Sequence, residues 1–352
     1  VASTIHDVAA EAGVSIATVS RVIAGNYPVA KKTRERVEAA VERLNYSANP
    51  NAQRLRGVDI APVAVLLGSI TGPSFAALAQ GVETEARDRG RICLIGTTGG
   101  ASERELELVE LMRRQGVEAV ILPGGSWADR EHHDRMGHLA KTLAKEGKHL
   151  VFCGPRTLDD HGDDAIDIRY DNEGGARAIA AHVVEKGHRN VLLMPGIPNG
   201  GTAFERLRGF RTALASGGAQ EYGVIETSFD REPAREALLA HLRGLVPVGS
   251  RPPFTAVLCG TDQVAMGVLD ALHEHGLRCP EDVSITGYDD VPSARDLSPA
   301  LTTIRVPYEE LGALAVRHAL DDPHADAGVL AVDLIVRDSV AARPSAAIVN
   351  VI

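Results

Sequence analysis

The sequence predicts an all-α helix-turn-helix head followed by an α/β core of two doubly wound parallel-sheet lobes. Three observations carry this expectation. Two short amphipathic stretches, residues 4–12 and 15–23, flank a glycine at position 13. From Pro62 onward, short β-branched runs alternate with helical stretches in two successive series, the pattern of parallel sheets covered on both faces. Finally, 352 residues exceed what one hydrophobic core holds, so a small module plus a two-lobed body is the natural division.

Thr4 with Asp7 three residues later has capping-box spacing, with Asp in place of the usual Glu or Gln. Ile5, Val8, Ala9 and Ala12 then recur on one face of a first helix. Gly13 can end that helix in the left-handed conformation, and Ser15 can cap the next. In the second helix Val19, Val22 and Ile23 turn to the core. Ile16, Ala17, Ser20 and Arg21 are left together on the outward face, because residues four apart are helix neighbours. That geometry is how a small domain offers a helix to DNA, although an ordinary helical hairpin shares it. A third helix from about Lys31 to Leu44 supplies Val37, Ala40, Val41 and Leu44 to the same core. The following segment, residues 45–57, is polar and basic with Leu55 as its only large aliphatic residue, too polar for a core helix.

The run from Thr4 to Gly57 resembles the head-piece and hinge of LacI/GalR-family transcriptional repressors. Asp7-Val8-Ala9, Ala12-Gly13-Val14-Ser15, Thr18-Val19-Ser20-Arg21-Val22, Thr33-Arg34-Glu35-Arg36-Val37, Leu44-Asn45-Tyr46 and Ala52-Gln53-Arg54-Leu55 carry the likeness. It implies that Ile16, Ala17 and Arg21, with Thr18 and Ser20 beside them, face the major groove. It also implies that residues 48–56 with Ala52 fold into a hinge helix on the operator, and that Leu55 of each subunit wedges into the minor groove. Arg21 can donate two bonds to guanine, whereas Ile16 and Ala17 can make only apolar contact, for example with a thymine methyl. Inserting a leucine kinks the duplex at a cost of a few kcal/mol, least at flexible pyrimidine–purine steps, so a palindrome with such a step at its centre is expected. Thr4, Ser15, Thr33, Asn49 and Arg54 are candidates for phosphate contacts. Two positions depart from the family: Ala30 stands where a capping residue is usual before the third helix, and Ala48 where a proline is common.

In the body, strands are expected at 63–67, 92–95, 119–122 and 150–152, and in a second series at 191–194, 223–225, 256–259 and 283–286. Ligands of such sheets sit outside the carboxyl ends of the strands, which puts a cleft between the lobes. The resemblance extends to about Arg337 and implies a periplasmic-binding-protein-like core. It divides the chain into a head at 1–47, a hinge at 48–60, a core at 61–345 and a tail at 346–352. Within the core it implies one lobe at about 61–153 and 307–335 and the other at about 154–306 and 336–345, with crossings near 153–155, 303–305 and 335. Asp289 follows the last of these strands directly, where a carboxylate can accept bonds from two adjacent hydroxyls. By its match to the family motif Arg206 is the cleft arginine, whose planar fork suits ring oxygens or carboxylates. Phe75 and Phe229 match pocket-wall positions, and Thr261 stands where an asparagine is common. Arg206 with Asp289 also fits a structural ion pair, and either phenylalanine a core position. Together they favour a hydroxylated ring, a sugar, as effector. Purine-binding members carry a second arginine six residues earlier, where this chain has Gly200.

The formal net charge of −10 argues at first against nucleic acid, but residues 1–60 hold eight Lys or Arg against six Asp or Glu. The head would bind DNA while the acidic body is repelled from it. The four cysteines, at 93, 153, 259 and 279, form no C-x-x-C pair, which suits reduced thiols in a cytosolic protein. No apolar run approaches the roughly 20 residues of a membrane span, and the polar start argues against export; a first residue other than Met suggests a processed or trimmed start. His132, His133 and Asp134, with His138 and His161, lack metal-site spacing and are expected on a solvated surface. Thr97-Thr98-Gly99-Gly100 lacks the lysine of a phosphate loop and reads as a turn. No catalytic constellation, metal site or cofactor motif is present, and the tail has no leucine heptads for a tetramer coil. The expected protein is a cytoplasmic, nucleoid-associated homodimeric regulator, most simply a repressor, that binds a double-stranded DNA operator and a small effector. A solute-binding receptor should carry an export signal, and a sugar-modifying enzyme a second cleft carboxylate paired with Asp289.

Overall fold

The computed structural model describes residues 3–24, 27–46, 61–124, 130–154, 164–198, 201–321 and 328–343. The expected hinge with Asn49, Ala52, Arg54 and Leu55, the expected surface residue His161, and the tail lie outside them. The chain divides into two compact units, Val1–Ala61 and Pro62–Ile352.

The first unit contains α1 (Ile5–Ala12), α2 (Ile16–Ala24) and α3 (Lys31–Arg43). Thr4 and Asp7 make the reciprocal capping box, and Gly13 sits at φ 60° as the left-handed cap, a conformation that costs glycine nothing. Ser15 accepts the Thr18 N–H at 3.2 Å and so caps α2. Val8, Ala9, Ala12, Val19, Val22, Val37 and Ala40 form the core. Arg36 reinforces the turn by donating to the carbonyl oxygens of Ala12 and Gly13. Ala30, as its methyl dictates, gives α3 no side-chain cap.

The second unit begins with β1 (Val63–Leu67), α4 (Pro73–Asp88), β2 (Cys93–Thr97), α5 (Ser102–Arg114), β3 (Ala119–Pro123), α6 (Arg130–Lys145), β4 (His149–Cys153) and β5 (Ala165–Tyr170). It continues with α7 (Asn172–Glu185), β6 (Asn190–Met194), α8 (Gly201–Ser216), β7 (Gln220–Val224), α9 (Arg231–Leu245), β8 (Ala256–Cys259), α10 (Asp262–Glu274) and β9 (Ser284–Thr286). Last come β10 (Thr303–Arg305), α11 (Tyr308–Leu320), β11 (Val329–Leu330) and β12 (Asp333–Ile335). One sheet runs β11-β5-β4-β3-β1-β2 and the other β7-β6-β8-β9, while β10 and β12 pair apart from both. Every pairing within the two large sheets is parallel. Both sheets therefore reverse strand order beside their first strand, where such folds place ligands.

Alternate residues of each strand serve different cores. Val63, Val65, Leu67, Ile121 and Val151 face a cluster shared with α4 and α11, whereas Ala64, Leu66, Val120, Leu122 and Phe152 face α5 and α6. In the second lobe Val191 and Leu193 join the first cluster, and Leu192 and Met194 pack with α9 and α10. Helices α4 and α11 touch backbone to backbone: a Cβ on Gly81 would lie 1.9 Å from the Glu309 carbonyl oxygen.

One expected boundary moves. Strand β5 pairs with β4 over Leu150–Cys153, so the first lobe continues to Tyr170 and the first crossing lies at Asp171, not near residues 153–155. Asp171 marks the change by capping α7, accepting the Gly174 N–H at 2.8 Å. At the positions of the later expected crossings, β10 and β12 pair antiparallel with each other. Beyond them residues 337–343 return to the second lobe, where the Ile285 N–H donates to the Ser339 carbonyl at 2.9 Å.

Candidate functional site

On the head, Ser15, Ile16, Ala17 and Arg21 are exposed, and Thr18 and Ser20 are half-buried on the same helix. Capping, core packing and outward display thus divide α2 as its periodicity requires. The hydroxyls are partly committed within the fold: Ser15 Oγ lies 2.9 Å from Thr18 Oγ1, and Thr4 Oγ1 donates to Asp7 at 2.7 Å. Thr33 is half-buried in the first turn of α3. Sequence reasoning missed Tyr27, whose exposed ring lies 5.5 Å from the Arg21 guanidinium carbon and can steady that long side chain.

In the second unit Phe75, Arg206, Phe229, Thr261 and Asp289 all line one cavity of about 480 Å³, within the range of small-molecule sites. Its walls come from the carboxyl ends of both sheets. Arg206 is 1% exposed and its donors are spread over four partners. Nε donates to Asn172 Oδ1 at 2.8 Å, Nη1 to the Gly260 carbonyl, and Nη2 to Asp289 Oδ1 at 3.1 Å and Tyr170 OH at 3.3 Å. Its carbon lies 3.6 Å from the centre of the Tyr288 ring. The structural ion pair and the cleft position are therefore the same arrangement. Burial works against the Arg206 charge, yet Asp289 and the surrounding tyrosines hold it protonated well above its ordinary range.

Asp289 is 8% exposed and accepts the Tyr308 hydroxyl at 2.8 Å on the oxygen that takes Arg206. Burial pushes its carboxyl up against the pull of Arg206. It sits at φ 110° and Asp290 at φ 54°, strained for residues with a Cβ, and such strain collects at ligand sites. Asp290 anchors the turn to the lobe crossing, accepting Arg305 Nε at 2.8 Å and Arg337 Nη2 at 2.6 Å. Behind it, buried Asp262 accepts Thr303 Oγ1 at 2.6 Å and the Val291 N–H at 2.8 Å. Desolvation and the nearby Asp289 charge push the Asp262 carboxyl well above the usual carboxylate range. Thr261 lines the cavity, but its hydroxyl caps α10 by accepting the Val264 N–H at 3.1 Å.

One expectation needs correction. His132 and His133 are buried, at 4% and 9% exposure, not solvated. The periodicity of α6 explains this, because both share the inward face with Met136, Ala140 and Leu143; His138 is exposed as expected. His132 lines the cavity with Glu105. The turn at residues 97–100 is a turn, with Gly99 and Gly100 at positive φ, and it is also cavity wall through Thr98 and Gly100. Tyr170, Tyr308 and Asn172 were not legible as site residues, since none lies in a recognisable motif. Among the described residues no cluster suits a metal ion, no helix is long and apolar enough to cross a membrane, and the four cysteines are free thiols.

Residues 4–49 match the family described as bacterial regulatory proteins, lacI family, and residues 180–340 match the periplasmic binding protein-like domain. The chain is 33% identical to the HTH-type transcriptional repressor PurR of Proteus mirabilis (strain HI4320), over 97% of this chain and 98% of that protein. The chain belongs to the lacI family of bacterial regulatory proteins. It is a transcriptional repressor of that type with a helix-turn-helix DNA-binding head, not an enzyme. Among solved structures, the lac repressor dimer bound to operator and the anti-inducer ONPF is similar with TM-score 0.81 and 26% identity, covering 97% of this chain and 99% of that one. The complex of the transcriptional regulator CelR with cellobiose is similar with TM-score 0.65 and 27% identity, covering 96% and 99%. This lacI-family repressor thus has relatives along nearly its whole length.

Proposed function

We propose that this repressor acts in the cytoplasm as a homodimer on a palindromic operator, and that a neutral, hydroxylated effector, a sugar, controls it from the cavity. Arg21, Ile16 and Ala17 would read base edges, with Thr4, Ser15, Thr18, Ser20, Thr33, Asn49, Ala52 and Arg54 positioning the heads and Leu55 opening the central step. The observation that carries the effector class is the charge of the cavity wall. Among the described residues, Glu105, Asp230 and Asp289 stand against the guanidinium of Arg206, which already holds Asp289. An anion would meet repulsion there, whereas hydroxyls can donate to carboxylates and stack their ring against Phe75 or Phe229. The operator-bound lac repressor dimer and the complex of CelR with cellobiose support this reading.

A nucleobase effector is the second reading, favoured by the kinship with PurR; Gly200, in place of the second arginine, stands against it. The effector can change operator affinity only by its preference between two arrangements of the dimer, a coupling of about 1–3 kcal/mol. Selection of binding sites from random DNA, with and without a panel of sugars and nucleobases, tests both halves. The expected result is a palindrome whose retention one sugar alters and whose affinity falls steeply with salt. A palindrome indifferent to every sugar but responsive to a nucleobase would replace the sugar reading. Undiminished operator affinity in an Arg21→Ala, Leu55→Ala variant would refute the proposed DNA contacts.

A further inference from the structure

The polar residues of the cavity fall into two groups on different lobes. Arg206 and Asp289 belong to the second lobe, at α8 and the end of β9. Glu105 and His132 belong to the first lobe, in the first turn of α5 and near the start of α6 as described. Helices that follow parallel strands begin at the carboxyl edge of the sheet, so side chains of these turns face the cleft. His132 Nε2 lies 3.2 Å from Glu105 Oε1, and the histidine is 4% exposed. Both residues border the cavity that Arg206 and Asp289 border.

We propose that Glu105 and His132 form a second sugar subsite, so that the effector is a disaccharide or a glycoside of that length rather than a monosaccharide. This rests on the sugar reading above. A carboxylate that has lent one oxygen to an imidazole still accepts hydroxyl protons on its remaining lone pairs. Thr98 and Ser102 border the same end and add hydroxyls that both donate and accept. The pair thus offers the mixed hydrogen-bonding of a sugar site, while the Glu105 charge rejects a phosphate. A single pyranose held by Asp289 would occupy only part of a space of about 480 Å³ walled by both lobes. A second ring reaching Glu105 would bind the two lobes to one molecule, which is what a ligand that favours a closed arrangement must do.

Calorimetric titration of the full chain with disaccharides (cellobiose, maltose, lactose, trehalose) and with their component monosaccharides tests this. At least one disaccharide should bind about tenfold or more tighter than either of its monosaccharides. Glu105→Gln and His132→Gln should each remove most of that margin while monosaccharide Kd changes less than about twofold, and Arg206→Lys should weaken both ligands together. A monosaccharide that binds the unmodified protein as tightly as every disaccharide overturns the second subsite and leaves the sugar reading standing. Equal losses for both ligands in the Glu105 and His132 variants also overturn it, since a pair that only ties α5 to α6 would behave so. If no sugar binds and a nucleobase such as hypoxanthine does, the sugar reading falls and the subsite falls with it.

Discussion

Acid should unfasten the second lobe at one histidine. His188 is fully buried just before β6, with Nε2 3.0 Å from the Ala341 carbonyl and Nδ1 2.8 Å from Thr255 Oγ1. A carbonyl only accepts, so Nε2 carries the proton and Nδ1 takes the Thr255 hydroxyl. The neutral ring ties the returning segment at residue 341 to the start of β8. Burial is the main reason that its pKa falls from 6.5 to about 4, and the Arg343 and Arg189 charges add to it. Because the folded pKa is depressed, the folded chain binds fewer protons than the unfolded chain between about pH 4 and 6.5. Stability from this group is therefore present above pH 6.5 and is lost as pH falls to about 4. At about 1.4 kcal/mol per pH unit that interval is worth at most about 3 kcal/mol, a large part of a total of about 5–15 kcal/mol. His188→Gln keeps a donor and an acceptor but cannot titrate. Urea unfolding followed by circular dichroism at pH 7.5, 6.5, 5.5 and 4.5 should show the unmodified chain losing stability faster than the variant, with the gap shrinking by about 2–3 kcal/mol. His182, also held below its ordinary range mainly by burial, is common to both proteins and cancels. Parallel pH profiles would refute the assignment.

Three more perturbations follow from single contacts. Arg206→Met leaves the Asp289 carboxylate buried without its cation and should cost about 3–5 kcal/mol. Adding Asp289→Leu should recover more than about 1 kcal/mol of it, and strict additivity in denaturant titrations would show that the two do not act as a pair. Gly81→Ala forces a methyl onto the Glu309 carbonyl; despite the better helix propensity of alanine, thermal unfolding should reveal a net loss of about 1–3 kcal/mol, and a stabilised variant would contradict the close α4–α11 contact. Thr4→Ala removes the α1 cap and should weaken the head by about 0.5–2 kcal/mol, read as faster hydrogen exchange of α1 amides in the full chain with core amides unchanged.

Local features of the chain were legible because their causes are local. Thr4, Asp7, Gly13 and Ser15 act on backbone groups within a few residues, so the boundaries of α1 and α2 could be read from them, and β1 emerged from Val63–Leu67 as an unbroken apolar run. Strand β5 was not legible. Its sequence Ala-Ile-Asp-Ile-Arg-Tyr alternates, whereas the buried strands beside it are continuously apolar, and its place is settled by pairing with β4. Strands β10, β11 and β12 have only two or three residues each, too few for any period to show.

The same division runs through the site. Arg206 could be singled out by its match to the family motif, and Asp289 by its place directly after a buried strand. Their partners could not: Tyr170, Asn172 and Tyr308 come from distant parts of the chain, and nothing near them in sequence marks a polar role. His132 was misjudged because the charged residues around it suggest solvent, while the turn of α6 decides which of its neighbours face inward. By itself the sequence determined the helical head, the two α/β lobes and the family's motif residues, since these follow from short-range backbone chemistry and hydrophobic period. Only the tertiary structure decided which lobe holds β5, where the crossing lies and which side chains meet in the cavity. Those outcomes depend on contacts between residues as far apart as Asn172 and Tyr288, and no local pattern records such contacts.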